Sequence, residues 1–158
     1  MKTINVILAN NNRNFRIAIR QMLFSFNEVE VIGEASNGID LLNIMKANQA
    51  DIVFMDYEMP NMNGLEATRI AMEKYPELTI IGLTSFDEKL YIKKMIEAGA
   101  KTCISKNKIS YEFIKSIITE KQNEINNFLS IASVDNKLRI KNNHQYKKHL
   151  YIPNLKLD

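Results

Sequence analysis

The sequence predicts an α/β protein in which a five-stranded parallel sheet is doubly wound, with helices on both faces. Two observations predict it. Five short apolar runs recur at even spacing, and the segments between them carry helical rather than strand periodicity. Strict alternation of strand and helix requires right-handed crossovers, which leave the strands parallel.

The runs are INVILA at 4–9, VEVIGEA at 29–35, DIVFMD at 51–56, LTIIGLT at 78–84 and KTCIS at 101–105. They are rich in Val and Ile and several are continuously apolar, the pattern of strands buried on both faces. In the first helical segment Phe15, Ala18, Met22 and Phe26 share a face. The second presents Leu41, Leu42 and Met45, the third Leu65, Thr68 and Met72, and the fourth Tyr91, Met95 and Ala98. Punctuation agrees: Asn37 and Gly38 open the second helix, Pro76 stops the third, and Gly99 suits the left-handed residue that closes the fourth. The fifth segment opens near Ser110 and uses Phe113, Ile114, Ile117 and Ile118, then Ile125, Phe128 and Leu129, extending to about Ser133. The expected organisation is therefore a main domain over 1–120, an extension of its last helix over 121–133, and an irregular basic tail over 134–158.

Composition narrows the function classes. With 158 residues, 46% hydrophobic and 25% charged, the chain builds one sizeable core. No apolar stretch approaches the roughly 20 residues that span a bilayer, and the N-terminus lacks a signal-peptide pattern, so a cytoplasmic protein without membrane contact is expected. The lone Cys103 lies in an apolar run and reads as a buried structural thiol rather than a redox centre. Residues 1–120 carry 14 Lys/Arg against 15 Asp/Glu, and residues 121–158 carry 7 against 3, so the tail supplies the net charge of +3. That excess reads as solvation, with DNA contact a minor alternative.

The chemistry gathers at strand ends. Asn10 and Asn11 follow the first run, Asp56 closes the third, Thr84 closes the fourth and Lys106 follows the fifth. In a parallel sheet these ends share one edge, where ligands of open α/β sheets bind. Taken singly, Asp56 reads as a turn residue, Thr84 as an ordinary strand residue and Lys106 as a surface charge. Together they suit phosphoryl transfer to a carboxylate. Asp56 attacks phosphorus, Lys106 offsets charge on the phosphoryl oxygens, and the Thr84 hydroxyl donates to one of them.

At this point residues 4 to about 120 resemble a response-regulator receiver domain of two-component signalling. The resemblance rests on VFMDYEMPNMNGLEATR from Val53 to Arg69, on IGLTSF with Thr84 and Ser85, and on ISK with Lys106. GEASNG at Gly33–Gly38 is similar to receivers of LuxR-type regulators. The resemblance implies a flavodoxin-like strand order 2-1-3-4-5, Asp56 as phosphoacceptor, and Thr84 and Lys106 as its catalytic companions. It also implies a histidine kinase or phosphotransfer protein as donor, and a downstream protein or a second copy as target. Such a domain is not a turnover enzyme; at most it phosphorylates and dephosphorylates itself. The residues after Glu120 are too few for the helix-turn-helix domain of LuxR-type regulators, so a stand-alone receiver is expected.

Two departures qualify the resemblance. The family places two acidic residues after the first strand to bind a divalent cation, usually Mg²⁺, where this chain has Asn10 and Asn11. The implied metal ligands are then Asn10, Asn11, Asp56 and the backbone carbonyl of Glu58. Each missing carboxylate removes on the order of a few kcal/mol of gross attraction for a dication, so Mg²⁺ binding is expected to be weak or absent. The same change relieves repulsion among clustered carboxylates. Second, the family's switch couples the Thr84-type hydroxyl to an aromatic at the position of Cys103, and a thiol is too small for that role; Tyr91 and Phe86 are the candidates to replace it.

Two functional readings follow: a phosphoacceptor switch, and a receiver-like interaction module that has lost phospho-control. A cofactor carrier on the same fold needs a phosphate-cradling loop after the first strand, and ANNNRNF has no glycine.

Overall fold

The computed structural model describes residues 2–87 and 89–148, with side chains described through residue 135. Strands β1 (Ile4–Ala9), β2 (Val29–Ala35), β3 (Ile52–Asp56), β4 (Thr79–Thr84) and β5 (Thr102–Ser105) pair in parallel in the order β2-β1-β3-β4-β5. Helices α1 (Arg13–Leu23), α2 (Gly38–Ala47), α3 (Gly64–Lys74), α4 (Lys89–Glu97) and α5 (Tyr111–Lys148) follow the strands in turn. This is the doubly wound architecture that the alternating pattern predicts, and each strand lies within one residue of its apolar run.

Alternation along the strands divides the core. Ile7, Ala9, Val53, Met55 and Ile80 pack in one cluster with Leu41 and Met45 of α2, Ala67 and Ala71 of α3 and Met95 of α4. The intervening Val6, Leu8, Ile52, Phe54, Ile81 and Leu83 are equally buried and outside that cluster, as are Ile19 and Leu23 of α1 and Ile114 and Ile118 of α5. Each such side chain contributes roughly 1.5–3 kcal/mol by leaving water.

Helix starts are set by asparagines. Asn12, Asn37 and Asn63 each accept a backbone N–H three residues on, capping α1, α2 and α3. Gly99 takes φ +114° just after α4, the left-handed geometry that its position predicts.

Two expectations are corrected. Ala18 is exposed, and α1 is buried through Ile19 and Leu23, with Phe15, Met22 and Phe26 only partly covered. The helix ends at Leu23, so its inward stripe follows the four-residue spacing from Phe15 rather than the one drawn through Ala18. The irregular tail from 134 is likewise not found over 134–148, because α5 continues through Lys148. No Gly or Pro falls between Tyr111 and Ile152, and the Asn and Lys residues that suggest irregularity each cost only about 0.7 kcal/mol or less in a helix. Residues 149–158 of that tail lie outside the described residues.

The chain divides into a unit ending at Thr119 and a second beginning at Glu120. The described residues of the second are the later part of α5, where Lys121 pairs with Glu124, and Phe128, Leu129, Ile131 and Val134 are exposed. Among the described residues no helix is long and apolar enough to cross a membrane.

Candidate functional site

Sheet register brings the polar strand ends together. Leu8 lies opposite Phe54 and Ala9 opposite Met55, so Asn10 follows at the position beside Asp56 on the neighbouring strand. Asn10 is the residue after β1 and Asp56 the last of β3, so both stand at the same edge of the sheet. On the other side Asp56 lies opposite Leu83, with Thr84 the next residue, and Thr84 lies opposite Ser105, with Lys106 next.

Lys106 makes the direct contact: its Nζ donates to Asp56 Oδ2 at 2.8 Å. The Glu58 backbone N–H donates to Asp56 Oδ1 at 3.1 Å. The Lys106 ammonium also stands 5.4 Å from the centre of the Phe15 ring, a cation–π contact that fixes it from the α1 side. Asp56 has 0% exposure, whereas the Lys106 side chain keeps 20%, so the acid lies beneath a charged side chain that reaches solvent. Burial raises the Asp56 carboxyl above its ordinary value, outweighing the lowering by Lys106.

The loop that follows holds the acid in place. Tyr57 N–H donates to Leu83 O at 2.7 Å, Gly64 N–H to Tyr57 O at 2.9 Å, and Gly38 N–H to Met62 O at 2.9 Å. A Cβ on Gly64 would stand 2.0 Å from the Asp56 carbonyl oxygen, so only glycine lets α3 begin this close to β3.

The β1 side is built differently. Asn10 is 2% exposed, and its Oδ1 accepts the Asn12 N–H at 2.8 Å. Its backbone oxygen accepts Arg16 Nη1 at 2.6 Å, and Arg16 Nε donates to Glu34 Oε2 at 2.8 Å. Arg20 also pairs with Glu34, and these guanidinium contacts, Arg16 first, hold the Glu34 carboxyl below its ordinary value. The buried Asn10 Nδ2 meets no acceptor. Asn11, by contrast, is exposed, as is Glu58.

These residues form a poor donor set for Mg²⁺, which favours carboxylates and phosphate in octahedral geometry. Only one of the four implied ligands is a carboxylate side chain, and it is already bonded to Lys106. The Asn10 side-chain oxygen already accepts one backbone N–H. Among the described residues no group of three or more His, Cys, Asp or Glu side chains is placed to hold a metal.

Thr84 is fully buried, and its Oγ1 accepts the Phe86 N–H at 3.1 Å instead of bonding Asp56. The Phe86 ring stacks on Tyr91 at 5.1 Å, and Tyr91 meets Tyr57 edge-on at 5.0 Å. Cys103 is buried in the core cluster, and burial pushes its thiol up to about 11. A Cβ on Gly82 would fall 2.9 Å from Cys103 Sγ, so thiol and glycine are fitted to each other. A cavity of about 440 Å³ lined by Met45, Asp51, Tyr75 and Leu78 lies where strands begin and includes none of these residues.

The structure thus brings the expected Asp56 and Lys106 into contact, and adds Phe15 and Arg16, to which the sequence reading gave no role at this edge. Arg16 had a signal, since it lies one turn before Arg20 and both reach Glu34, the acid next to the end of the second run. The stacking of Phe86 on Tyr91 has none at the level of pattern.

Comparison with known proteins gives a consistent result. The response regulator receiver domain family matches residues 6–133. The chain is similar to the response regulator UvrY of Escherichia coli K12, 36% identical over 114 residues that cover 72% of this chain and 52% of that protein. It is also similar to the transcriptional regulatory protein YhcZ of Bacillus subtilis, 30% identical over 111 residues, covering 70% and 52%. The chain spans about half the length of these curated relatives. In structure it resembles the signal receiver domain of NarL from Mycobacterium tuberculosis, with TM-score 0.71, 22% identity and coverage of 77% of this chain and 98% of that one. It also resembles a chain of the CheX-CheY-BeF3-Mg complex from Borrelia burgdorferi, with TM-score 0.69, 21% identity and coverage of 75% and 89%. At these identities the structural likeness speaks to the fold.

Proposed function

Because the chain belongs to the response regulator receiver domain family of two-component signalling, we propose that it accepts a phosphoryl group on Asp56 from a histidine kinase or phosphotransfer protein in the cytoplasm. The observation that carries this reading is the 2.8 Å contact from Lys106 Nζ to Asp56 Oδ2 at the shared strand edge. The ammonium is already where charge builds on the transferring group, and such preorganised charge lowers the barrier without rearrangement. Thr84 supplies a hydroxyl from the adjacent strand end. Catalysis is confined to the chain's own phosphorylation and dephosphorylation.

Mg²⁺, when bound, would neutralise phosphoryl charge; Asn10, Asn11, Asp56 and the Glu58 carbonyl would hold it, and we read that site as weak or absent. Phosphorylation adds about 1.5 to 2 negative charges at Asp56. Reorientation of the Thr84 hydroxyl toward them releases the Phe86 N–H and disturbs the Phe86, Tyr91 and Tyr57 stack, in place of an aromatic at Cys103. Output then passes through the α4 and β5 surface to a downstream protein or a second copy, not to DNA; a gel shift with and without residues 134–158 checks the DNA alternative. Incubation with acetyl phosphate and Mg²⁺ is expected to add one phosphoryl group by intact mass, and Asp56→Ala to abolish it; an unchanged adduct in that variant refutes the assignment.

A second reading, a phosphorylation-independent interaction module, is favoured by the complete burial of Asp56 together with Asn10 and Asn11. It expects no adduct at any cation concentration and unchanged partner binding in Asp56→Ala.

A further inference from the structure

Asn10 combines three properties that matter together. It is 2% exposed, it directly follows Ala9, which pairs with Met55, the residue before Asp56, and its side-chain Nδ2 has no hydrogen-bond partner. A buried donor left unsatisfied costs about 1–3 kcal/mol. The amide cannot escape this by turning over. The Asn12 backbone N–H only donates, so the carbonyl end of Asn10 must face it, and the NH₂ end is directed away. Arg16 fixes the same residue through its backbone oxygen.

We propose that Asn10 is a donor to the phosphoryl group and not a cation ligand, so that the acyl phosphate on Asp56 forms and is held without a divalent metal. This rests on the reading of Asp56 as phosphoacceptor. An Asp56 carboxylate oxygen attacks the phosphorus of a phosphodonor such as acetyl phosphate. One P–O bond forms, the P–O bond to acetate breaks, and acetate leaves with the electron pair; no proton moves. The product carries its charge on three terminal oxygens. Lys106 faces them as a cation, and Asn10 Nδ2 supplies the neutral donor from the β1 side, where the unsatisfied N–H groups gain acceptors.

Electrostatics favours this exchange of roles. With carboxylates at 10 and 11 the pocket would carry two further negative charges and would need a dication before it could admit a phosphoryl group. With asparagines, Asp56 and Lys106 balance, and a phosphoryl group meets donors on both sides. Asn10 thereby contributes transition-state stabilisation of the kind an amide side chain gives in an oxyanion hole.

The test compares the parent chain with Asn10→Asp, Asn10→Ala and Lys106→Met, each incubated with acetyl phosphate in EDTA or in Mg²⁺ and read by intact mass against time, with circular dichroism confirming the fold. The parent is expected to incorporate phosphoryl at the same rate in both media. Asn10→Asp should lose incorporation in EDTA and regain it with Mg²⁺, and Asn10→Ala should slow in both by on the order of 100-fold. A merely structural role for Asn10 would not convert the cation dependence in Asn10→Asp. Parent incorporation that requires Mg²⁺ overturns this inference and leaves the phosphoacceptor reading standing. No incorporation in either medium overturns both.

Discussion

On one side of Asp56 stands Lys106 and on the other Asn10, and the two are built on opposite plans. The lysine is a charged donor, bonded to the acid at 2.8 Å and steadied by Phe15. The asparagine is a neutral donor, clamped by Asn12 and Arg16 and left with its N–H groups unused. The difference teaches that charge balance in this pocket is struck within the protein, between Asp56 and Lys106. A receiver with acids at 10 and 11 must draw that balance from solution.

The contrast is most strongly broken by removing its charged half. Lys106→Met leaves a buried carboxylate unpaired, and because the ammonium reaches solvent the expected loss is about 2–3 kcal/mol, below the value for a fully buried pair. Urea unfolding at neutral pH measures it, as a lower midpoint with unchanged slope. A change near zero would mean that Asp56 is already neutral in the folded chain.

Charging the other half comes next. Asn10→Asp sets a second carboxylate beside the first, and repulsion at an effective dielectric near 20 should destabilise the chain by about 1–3 kcal/mol in EDTA. Adding Mg²⁺ should recover the loss. Thermal melts in the two media decide, and a variant as stable as the parent in EDTA would remove the electrostatic account of Asn10.

The pH dependence sharpens the comparison further. Burial raises the Asp56 carboxyl above its ordinary value of 3.8, so in the interval between the two values the folded chain binds more protons than the unfolded one. Stability from this group therefore falls as pH rises through that interval. Asp56→Asn should remove the fall and gain relative to the parent as pH increases, in urea titrations at several pH values. Glu34 has the opposite sign: its lowered carboxyl adds stability that is lost on acidification, so the two trends separate in Arg16→Ala.

The smallest expected effect is at Phe15. Phe15→Leu keeps the apolar volume and removes the ring beneath the ammonium, at a cost of about 0.5–1 kcal/mol. A double cycle with Lys106→Met should show the coupling, and its absence would place Lys106 under the control of Asp56 alone.

Much of this was legible in the chain itself. Continuous runs such as IIGL and IVFM belong to strands covered on both faces, and parallel winding alone sends Asp56, Thr84 and Lys106 to one edge. The cap of α2 was readable because Asn37 has a specific local reason to sit there. Other features were not. Which way α1 rolls depends on packing, so Ala18 was misassigned and the reach of Arg16 and Phe15 went unseen. The length of α5 was hidden because its later residues are neutral in propensity, and no breaker marks a stop. The unused N–H groups of Asn10 emerge only when neighbours are placed in three dimensions.

The closeness of Gly64 to the Asp56 carbonyl has a mechanical consequence. Residues 57–64 are tied by backbone bonds from Tyr57 N–H to Leu83 O of β4, from Gly64 N–H to Tyr57 O and from Gly38 N–H at the start of α2 to Met62 O. They act as a stiff collar around the acid, with little slack to absorb a new group. Strain introduced at Asp56 is thus directed away from α3 and into the segment after Thr84, where the Thr84 hydroxyl holds the Phe86 N–H.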